Sequence, residues 1–323
     1  MPKNKLITDF LEYLEVERGR SQATIRNYAF YLQRFFNWAK NKNKGFDVSQ
    51  INTSLIRQYR LFLNRATDDQ GQTLKKSTQN YHLIALRTFL KYLAKYDIKS
   101  LAPEKIELAK QSSRQIEYLE GSDLEKFMEA PLEVSQKEII QKRDKAILET
   151  FFSTGLRVSE LVNLKKDNIN LAKDEFTVRG KGDKPRIVFL SNQAKHWLKQ
   201  YLEMRRDNSP YLFVGHDRAS KTRNQKSEIR NQGIDKVNHL TPRSVQRLVQ
   251  KYAKLAGITK KITPHTLRHS FATDLLTSGA DIRSVQSLLG HSSITTTQVY
   301  THIADQHLKD VYQAFHGKRR KKK

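Results

Sequence analysis

Cysteine is absent from this 323-residue chain, which excludes a disulfide framework, thiol catalysis and any thiolate metal site. The same absence suits a reducing compartment, so a cytoplasmic location is expected. Glycine and proline are sparse, at 13 and 7 residues, too few for a collagen-like or low-complexity polymer. No apolar run nears the ~18 residues of a membrane-spanning helix, so no membrane partner is expected. The opening segment MPKNKLITDFLEYLEVER mixes acidic and apolar residues at helical spacing and has no signal-peptide core. Acid is the scarce charge: 33 Asp+Glu stand against 59 Lys+Arg, a net +26 that suits a polyanionic partner, with a generally lysine-rich organism as the alternative.

The excess is not confined to one place. Residues 317–323 carry six basic residues in seven, yet the remainder still holds +20. Residues 1–112 carry +10 and residues 113–323 carry +16. Two separately basic lobes suit a clamp around one polyanion, with nucleic acid ahead of a membrane surface or a ribosome contact. The tail reads as a solvated, non-specific phosphate anchor.

Four amphipathic helical patterns fill the first hundred residues. The first carries Leu6, Ile7, Phe10, Leu11 and Leu14; the second opens at Ser21, a good N-cap, and carries Ile25, Tyr28, Leu32, Phe35 and Phe36. The third runs through Leu55, Ile56, Tyr59, Phe62 and Leu63, and the fourth, from near Ser77, through Leu83, Leu86, Leu90 and Leu93. This predicts a small helical bundle with polar loops at 41–50 and 66–76, its aromatic residues in the core. The stretch 103–120, with a Pro, two Ser and no sustained apolar face, reads as inter-domain linker, centred on 109–117. Ser122 and Glu125 have capping-box spacing and mark the start of a second domain, with helices at about 123–130 and 138–153.

Strand alternation then flanks a Gly180-Lys181-Gly182-Asp183 turn over 175–190, a β-hairpin. Residues 215–239 are polar and basic and read as a flexible insertion, after which helices return from Thr241. The expected fold is mainly α with a small antiparallel β-sheet. It comprises a helical domain at 1–108, a linker at 109–117, a mixed α/β domain at 118–316 and a basic tail at 317–323.

Within ITPHTLRHSFATDLL (262–276), Thr263 is an N-cap, Pro264 suits the first helical position, and His265 and Arg268 share one face. A helix N-terminus with a fixed Arg and a His beside it suits phosphate. His265 and His269 also stand at the spacing of a zinc helix, but Thr266 occupies the place of a metalloprotease Glu. No metal ligand is therefore assigned, and His269 is read as a packed structural residue. In FFSTGLRVSELVNL (151–164), Arg157 and Glu160 taken alone would form an ordinary surface ion pair. Lys181 at a hairpin tip, and His291 followed nine residues later by Tyr300, are equally ordinary when taken singly.

Their order is not ordinary. An Arg with Glu three later, a Gly-Lys-Gly hairpin, a His-x-x-Arg helix start, then Gly-His and a Tyr nine residues on resembles the tyrosine recombinase family. The strings GLRVSELVNL, LRHSFAT and LGHSSITTTQVYTHI carry the resemblance, which covers nearly the whole chain and is closest to Xer-type recombinases and simple phage integrases. It implies a two-domain clamp on double-stranded DNA, with a core-binding bundle and a catalytic domain, and no metal or nucleotide cofactor. It also implies Tyr300 as nucleophile, giving a 3′-phosphotyrosyl bond and a free 5′-hydroxyl. Arg157 and Arg268 would clamp the non-bridging oxygens, and His291 would add a hydrogen bond to the phosphate. His265 would partner Tyr300 in proton transfer, Lys181 would protonate the leaving 5′-oxygen, and Glu160 would orient the Arg or His residues.

In similar recombinases the start of the helix at 242–256 enters a major groove, which makes Arg243 the candidate base reader and Arg247 a phosphate contact. Lys75, Lys76 and Arg87 are the candidate backbone contacts of the first lobe; a solvated basic face is the alternative for all five. The apolar pattern Ile303, Leu308, Val311, Tyr312 and Phe315 implies a last helix exchanged between protomers of a homo- or hetero-tetramer, or else folded on its own domain. The insertion 215–239, with six basic residues against three acids, departs from the usual Xer pattern. Two further classes stay open here: a non-enzymatic DNA-binding protein on this scaffold, and a monomeric type IB topoisomerase. A cytoplasmic, nucleoid-associated enzyme of DNA recombination or integration is the expectation.

Overall fold

The computed structural model describes residues 3–67, 71–110, 117–180, 184–216 and 239–290. The chain divides into two compact units, Met1–Arg114 and Gln115–Lys323.

The first unit is built from α1 (Lys3–Val16), α2 (Gln22–Lys42), α3 (Thr53–Arg65) and α4 (Lys76–Lys95). Helix starts follow local chemistry: Ser21 accepts from the Thr24 N–H at 3.4 Å and Asn52 from the Leu55 N–H at 2.9 Å. The apolar faces enclose Phe10, Phe35, Phe36, Phe46, Tyr59 and Phe89, all but excluded from solvent. Rings meet edge to face, Phe35 on Tyr59 at 4.9 Å and Phe10 on Phe89 at 5.3 Å. Such pairs add about 0.5–1.5 kcal/mol each beyond area burial.

Not every aromatic residue is core, however: Phe30 and Tyr81 are exposed. The stretch after Pro103 also departs from the linker expectation. Ile106 is fully buried in this unit's core, and buried Asn80 exchanges two hydrogen bonds with the Ala109 backbone at 2.9 and 3.1 Å. An amide side chain offers both a donor and an acceptor, so it pins the strand-like segment as a neighbouring strand would.

The second unit comprises α5 (Gly121–Glu133), α6 (Glu138–Thr154), α7 (Val158–Val162), β1 (Glu175–Arg179), β2 (Pro185–Phe189), α8 (Asn192–Met204), α9 (Pro242–Leu255), α10 (Pro264–Thr277) and α11 (Ile282–Leu289). Ser122 is not the N-cap: α5 starts at Gly121 with Glu120 in the cap position. The reason lies upstream, where the Leu119 N–H donates to Ser270 Oγ at 2.8 Å and the Leu119 side chain is buried, so the chain is anchored before Ser122. The capping devices of α9 and α10, Thr241-Pro242 and Thr263-Pro264, are present, each Thr accepting from the N–H three residues on.

Helix α6 is the centre of this unit, packed by α5, α8 and α10 and against β2. It buries charge as well as hydrocarbon. Lys145 pairs with Glu149 at 2.9 Å and Glu129 at 2.7 Å, Arg143 with Asp144 at 2.7 Å, and the Tyr252 hydroxyl donates to Asp144 at 2.6 Å. The hairpin pairs β1 and β2 antiparallel, Glu175 opposite Phe189 and Val178 opposite Arg186. Its inner face buries Phe176, Val178 and Val188. Beside this two-stranded sheet, the described architecture is helical throughout.

Candidate active site

The site is assembled on helix ends. α6 terminates at Gly155 and α11 at Gly290, each with left-handed backbone (φ +58° and +63°). A side chain at Gly155 would also place its Cβ within 2.5 Å of the Phe271 ring, so glycine is required for conformation and for space. Carbonyls at helix C-termini lack intrahelical donors and lie at the negative end of the helix dipole. Arginines fill that need. Arg268, on α10 and 5% exposed, donates through Nη1 to the Gly155 carbonyl at 2.6 Å and through Nη2 to the Leu289 carbonyl.

Arg157 reaches the same corner from another element. It is the residue immediately before α7, not a residue within it, and its Nη2 donates to the Gly290 carbonyl at 3.2 Å. The two guanidinium groups therefore bind the consecutive carbonyls of Leu289 and Gly290, having come from segments 111 residues apart in sequence (157 and 268). Arg157 stays 26% exposed, so its guanidinium is open to a ligand.

Glu160 holds Arg157 in place. Its carboxylate accepts from the Arg157 N–H and Nη1, both at 2.8 Å, and from Arg186 Nη1 and Nη2 at 2.9 and 2.8 Å. At 7% exposure this is a buried carboxylate between two guanidinium groups, not the surface pair that its spacing alone suggests. Burial by itself opposes its charge most strongly, but the hydrogen bonds from Arg186 and from the Arg157 backbone and side chain outweigh it together and hold the pKa down at about 2.

His265, in the first turn of α10, is exposed. Partial desolvation, then the positive charges of Arg268 and Arg157, push its imidazole below the ordinary histidine range. His269, one turn on and half-buried, is pushed down to about 4 by desolvation first and then by His265 and Arg268. Among the described residues no group of three His, Asp or Glu side chains is arranged to hold a metal ion.

Lys181, His291 and Tyr300 lie outside the described residues, as do most of the insertion 215–239, the apolar pattern 303–315 and the basic tail. Their nearest described neighbours belong to this corner: Gly180, before Lys181, lies where an added Cβ would stand 3.6 Å from Arg157 Nη1, and Gly290 precedes His291. Arg243 and Arg247 are exposed on the first turns of α9, and Lys75 and Lys76 are exposed at the start of α4. Arg87 is half-buried on α4, with its Nε unpartnered among the described residues. No helix of the described residues is long and apolar enough to cross a membrane.

Sequence reasoning missed Arg186. A signal existed: Arg186 shares strand phase with buried Val188 and Leu190, and an arginine on the buried side of a strand requires an anionic partner.

Comparison with known proteins follows the same division of the chain. Residues 117–307 match the phage integrase family and residues 7–96 its N-terminal SAM-like domain. The tyrosine recombinase XerC of Thermodesulfovibrio yellowstonii is 36% identical over 321 residues, covering 96% of this chain and 95% of its own. The tyrosine recombinase XerD of Listeria innocua is 39% identical over 314 residues, covering 97% and 99%. In three dimensions the XerH site-specific recombinase, in its post-cleavage complex with a palindromic difH substrate, shares the fold. Its TM-score is 0.68 at 24% identity, over 92% of this chain and 81% of its own. Matched along nearly its whole length by these relatives, the chain belongs to the phage integrase family, that of the tyrosine recombinases.

Proposed function

We propose that this chain is a site-specific DNA recombinase that cuts and rejoins strands through a covalent 3′-phosphotyrosyl bond on Tyr300, without metal or ATP. The observation that carries the reading is the meeting of Arg157 and Arg268 on the adjacent carbonyls of Gly290 and Leu289. Three guanidinium groups against one carboxylate leave this corner at +2, a preorganised field for a phosphoryl group gaining negative charge. Arg157, partly exposed, offers its remaining N–H donors to the non-bridging oxygens, and the more deeply held Arg268 adds its charge behind. His265, neutral near pH 7, can take the phenolic proton as the oxygen of Tyr300 bonds to phosphorus. The bond from phosphorus to the 5′-oxygen breaks, and Lys181 returns a proton to that leaving oxygen. His291 donates a hydrogen bond to the phosphate. The phosphodiester energy stays in the covalent bond, so resealing needs no nucleotide.

In this reading residues 1–108 form the core-binding domain, 109–117 the linker, 118–316 the catalytic domain and 317–323 a phosphate-anchoring tail. Double-stranded DNA is the partner. Arg243 reads bases, and Arg247, Lys75, Lys76 and Arg87 meet phosphates. Exchange of the last helix builds a tetramer, and the enzyme works in the cytoplasm on the nucleoid. The test is a nicked suicide duplex bearing the genomic sequence that the protein protects in a footprint. The expected product is a denaturation-resistant protein–DNA adduct, lost in Tyr300→Phe while DNA binding persists. An adduct that survives Tyr300→Phe would refute the assignment.

A further inference from the structure

Arg186 stands outside the residues assigned above to the reaction, yet it is bound as tightly as any of them. Its side chain is 8% exposed, and an unpaired guanidinium at that depth would be strongly disfavoured. All three of its nitrogens are committed: Nε donates to the Leu288 carbonyl at 3.0 Å, and Nη1 and Nη2 take both oxygens of Glu160 at 2.9 and 2.8 Å. It runs so close to the end of α11 that a Cβ at Gly290 would meet its Cδ at 2.8 Å. One side chain on β2 thus links the hairpin, Glu160 on α7 and the terminus of α11.

The charge count gives that link a chemical consequence. Glu160 lies 2.8 Å from Arg157 Nη1, close enough to cancel most of the field of that guanidinium if nothing opposed it. With Arg186 on the other side, the triad keeps a net +1.

We propose that Arg186 is a positioning residue of strand cleavage: by neutralising Glu160 and fixing the end of α11, it leaves the charge of Arg157 available to the scissile phosphate. The inference rests on the recombinase reading. Lysine could supply the charge but not the planar fork that spans two carboxylate oxygens and a carbonyl.

The experiment uses the full-length protein and the same nicked duplex, measuring single-turnover adduct formation and duplex affinity separately. Arg186→Met is expected to slow adduct formation about 10²-fold, the scale of a small misplacement at a reacting centre, with affinity within about threefold of the wild type. Arg186→Met/Glu160→Gln, which also removes the unopposed carboxylate, is expected to recover at least about tenfold of that loss. Deleting the partner's charge would rescue a purely structural pair as well, so the rescue counts only as a rate recovered at unchanged duplex affinity, since loss of fold would lower rate and affinity together. A rate for Arg186→Met within about threefold of the wild type, or a double variant no faster than the single, would overturn the inference. Should Arg186→Met fail to fold, Arg186→Lys carries the test, with about tenfold slower cleavage at unchanged affinity expected and an unchanged rate overturning it. A wild type that forms no adduct overturns the recombinase reading itself. An active wild type beside an equally active Arg186→Met overturns this inference alone.

Discussion

In the first unit the largest buried side chains are rings, Phe10, Phe35, Phe36, Phe46, Tyr59 and Phe89, and among its described residues the buried polar ones are Asn80 and His82. In the second unit α6 alone buries Arg143, Asp144, Lys145 and Glu149, and Arg205 and Arg268 are buried elsewhere. Both units are basic and largely helical, so neither net charge nor helix content separates them. Their interiors do. A hydrocarbon core gains by area and is indifferent to any one partner, whereas a buried cation is tolerated only while its anion or carbonyl stays in place. The second unit thereby holds guanidinium groups at fixed positions, as the proposed chemistry requires, and becomes vulnerable to single charge changes.

The sharpest way to break this contrast is to truncate one residue in each interior. Lys145→Met removes the cation facing Glu149 and should destabilise the second unit by about 3–5 kcal/mol, as removal of one partner of a buried pair does. Adding Glu149→Leu should recover most of the loss. Phe89→Ala should cost the first unit a similar amount, about 3–5 kcal/mol, as a lost ring and a cavity, and no charge change elsewhere should repair it. Amide hydrogen exchange on the full chain assigns each loss to its unit. Equal rescue in both units, or in neither, would erase the distinction.

Next in size is a change that leaves the charge and alters its geometry. Arg268→Lys keeps a cation on α10 but cannot span the carbonyls of Gly155 and Leu289 together. Adduct formation should fall about 10²–10³-fold, or about 2.7–4 kcal/mol in the barrier, comparable with loss of a donor from an oxyanion site. Exchange protection in the first unit should not change. A substitution that left cleavage intact would mean that this unit needs the charge of Arg268 and not its fixed geometry.

Much of this was legible in the residues. Local devices such as Ser21, Thr241-Pro242 and Thr263-Pro264 act within four residues, so their spacing reveals them. Arg157, Glu160, His265 and Arg268 were legible as a family pattern, although Arg157–Glu160 alone has the spacing of a surface pair, and its burial follows from packing that no local window contains. Arg186 and Asn80 were invisible for that reason: each acts on backbone or carboxylate 26 to 102 residues away. The start of α5 was misplaced because a contact 151 residues distant, Leu119 with Ser270, outweighs a capping pattern.

The smallest effect probes an imidazole buried with the rings. His82 is 2% exposed, its Nδ1 lies 3.3 Å from the Tyr59 hydroxyl, and its Nε2 has no hydrogen-bond partner among the described residues. Desolvation, with the positive charge of Arg34, lowers its pKa from 6.5 to about 4. Between those two values the unfolded chain binds a proton that the folded unit refuses, so stability contributed by the neutral ring is complete above pH 6.5 and is lost as pH falls towards 4. His82→Phe should change stability by no more than about 1 kcal/mol at pH 7 and should make the first unit more resistant than the wild type at pH 4.5. The second unit should keep its acid sensitivity, since His269 titrates in the same window and Glu160 adds a loss that begins as pH falls below 4.5 and is complete near 2. Unit-resolved hydrogen exchange across pH 4–7 measures this. If the first unit loses stability with acid as steeply in His82→Phe as in the wild type, its interior is not the charge-free core that the comparison requires.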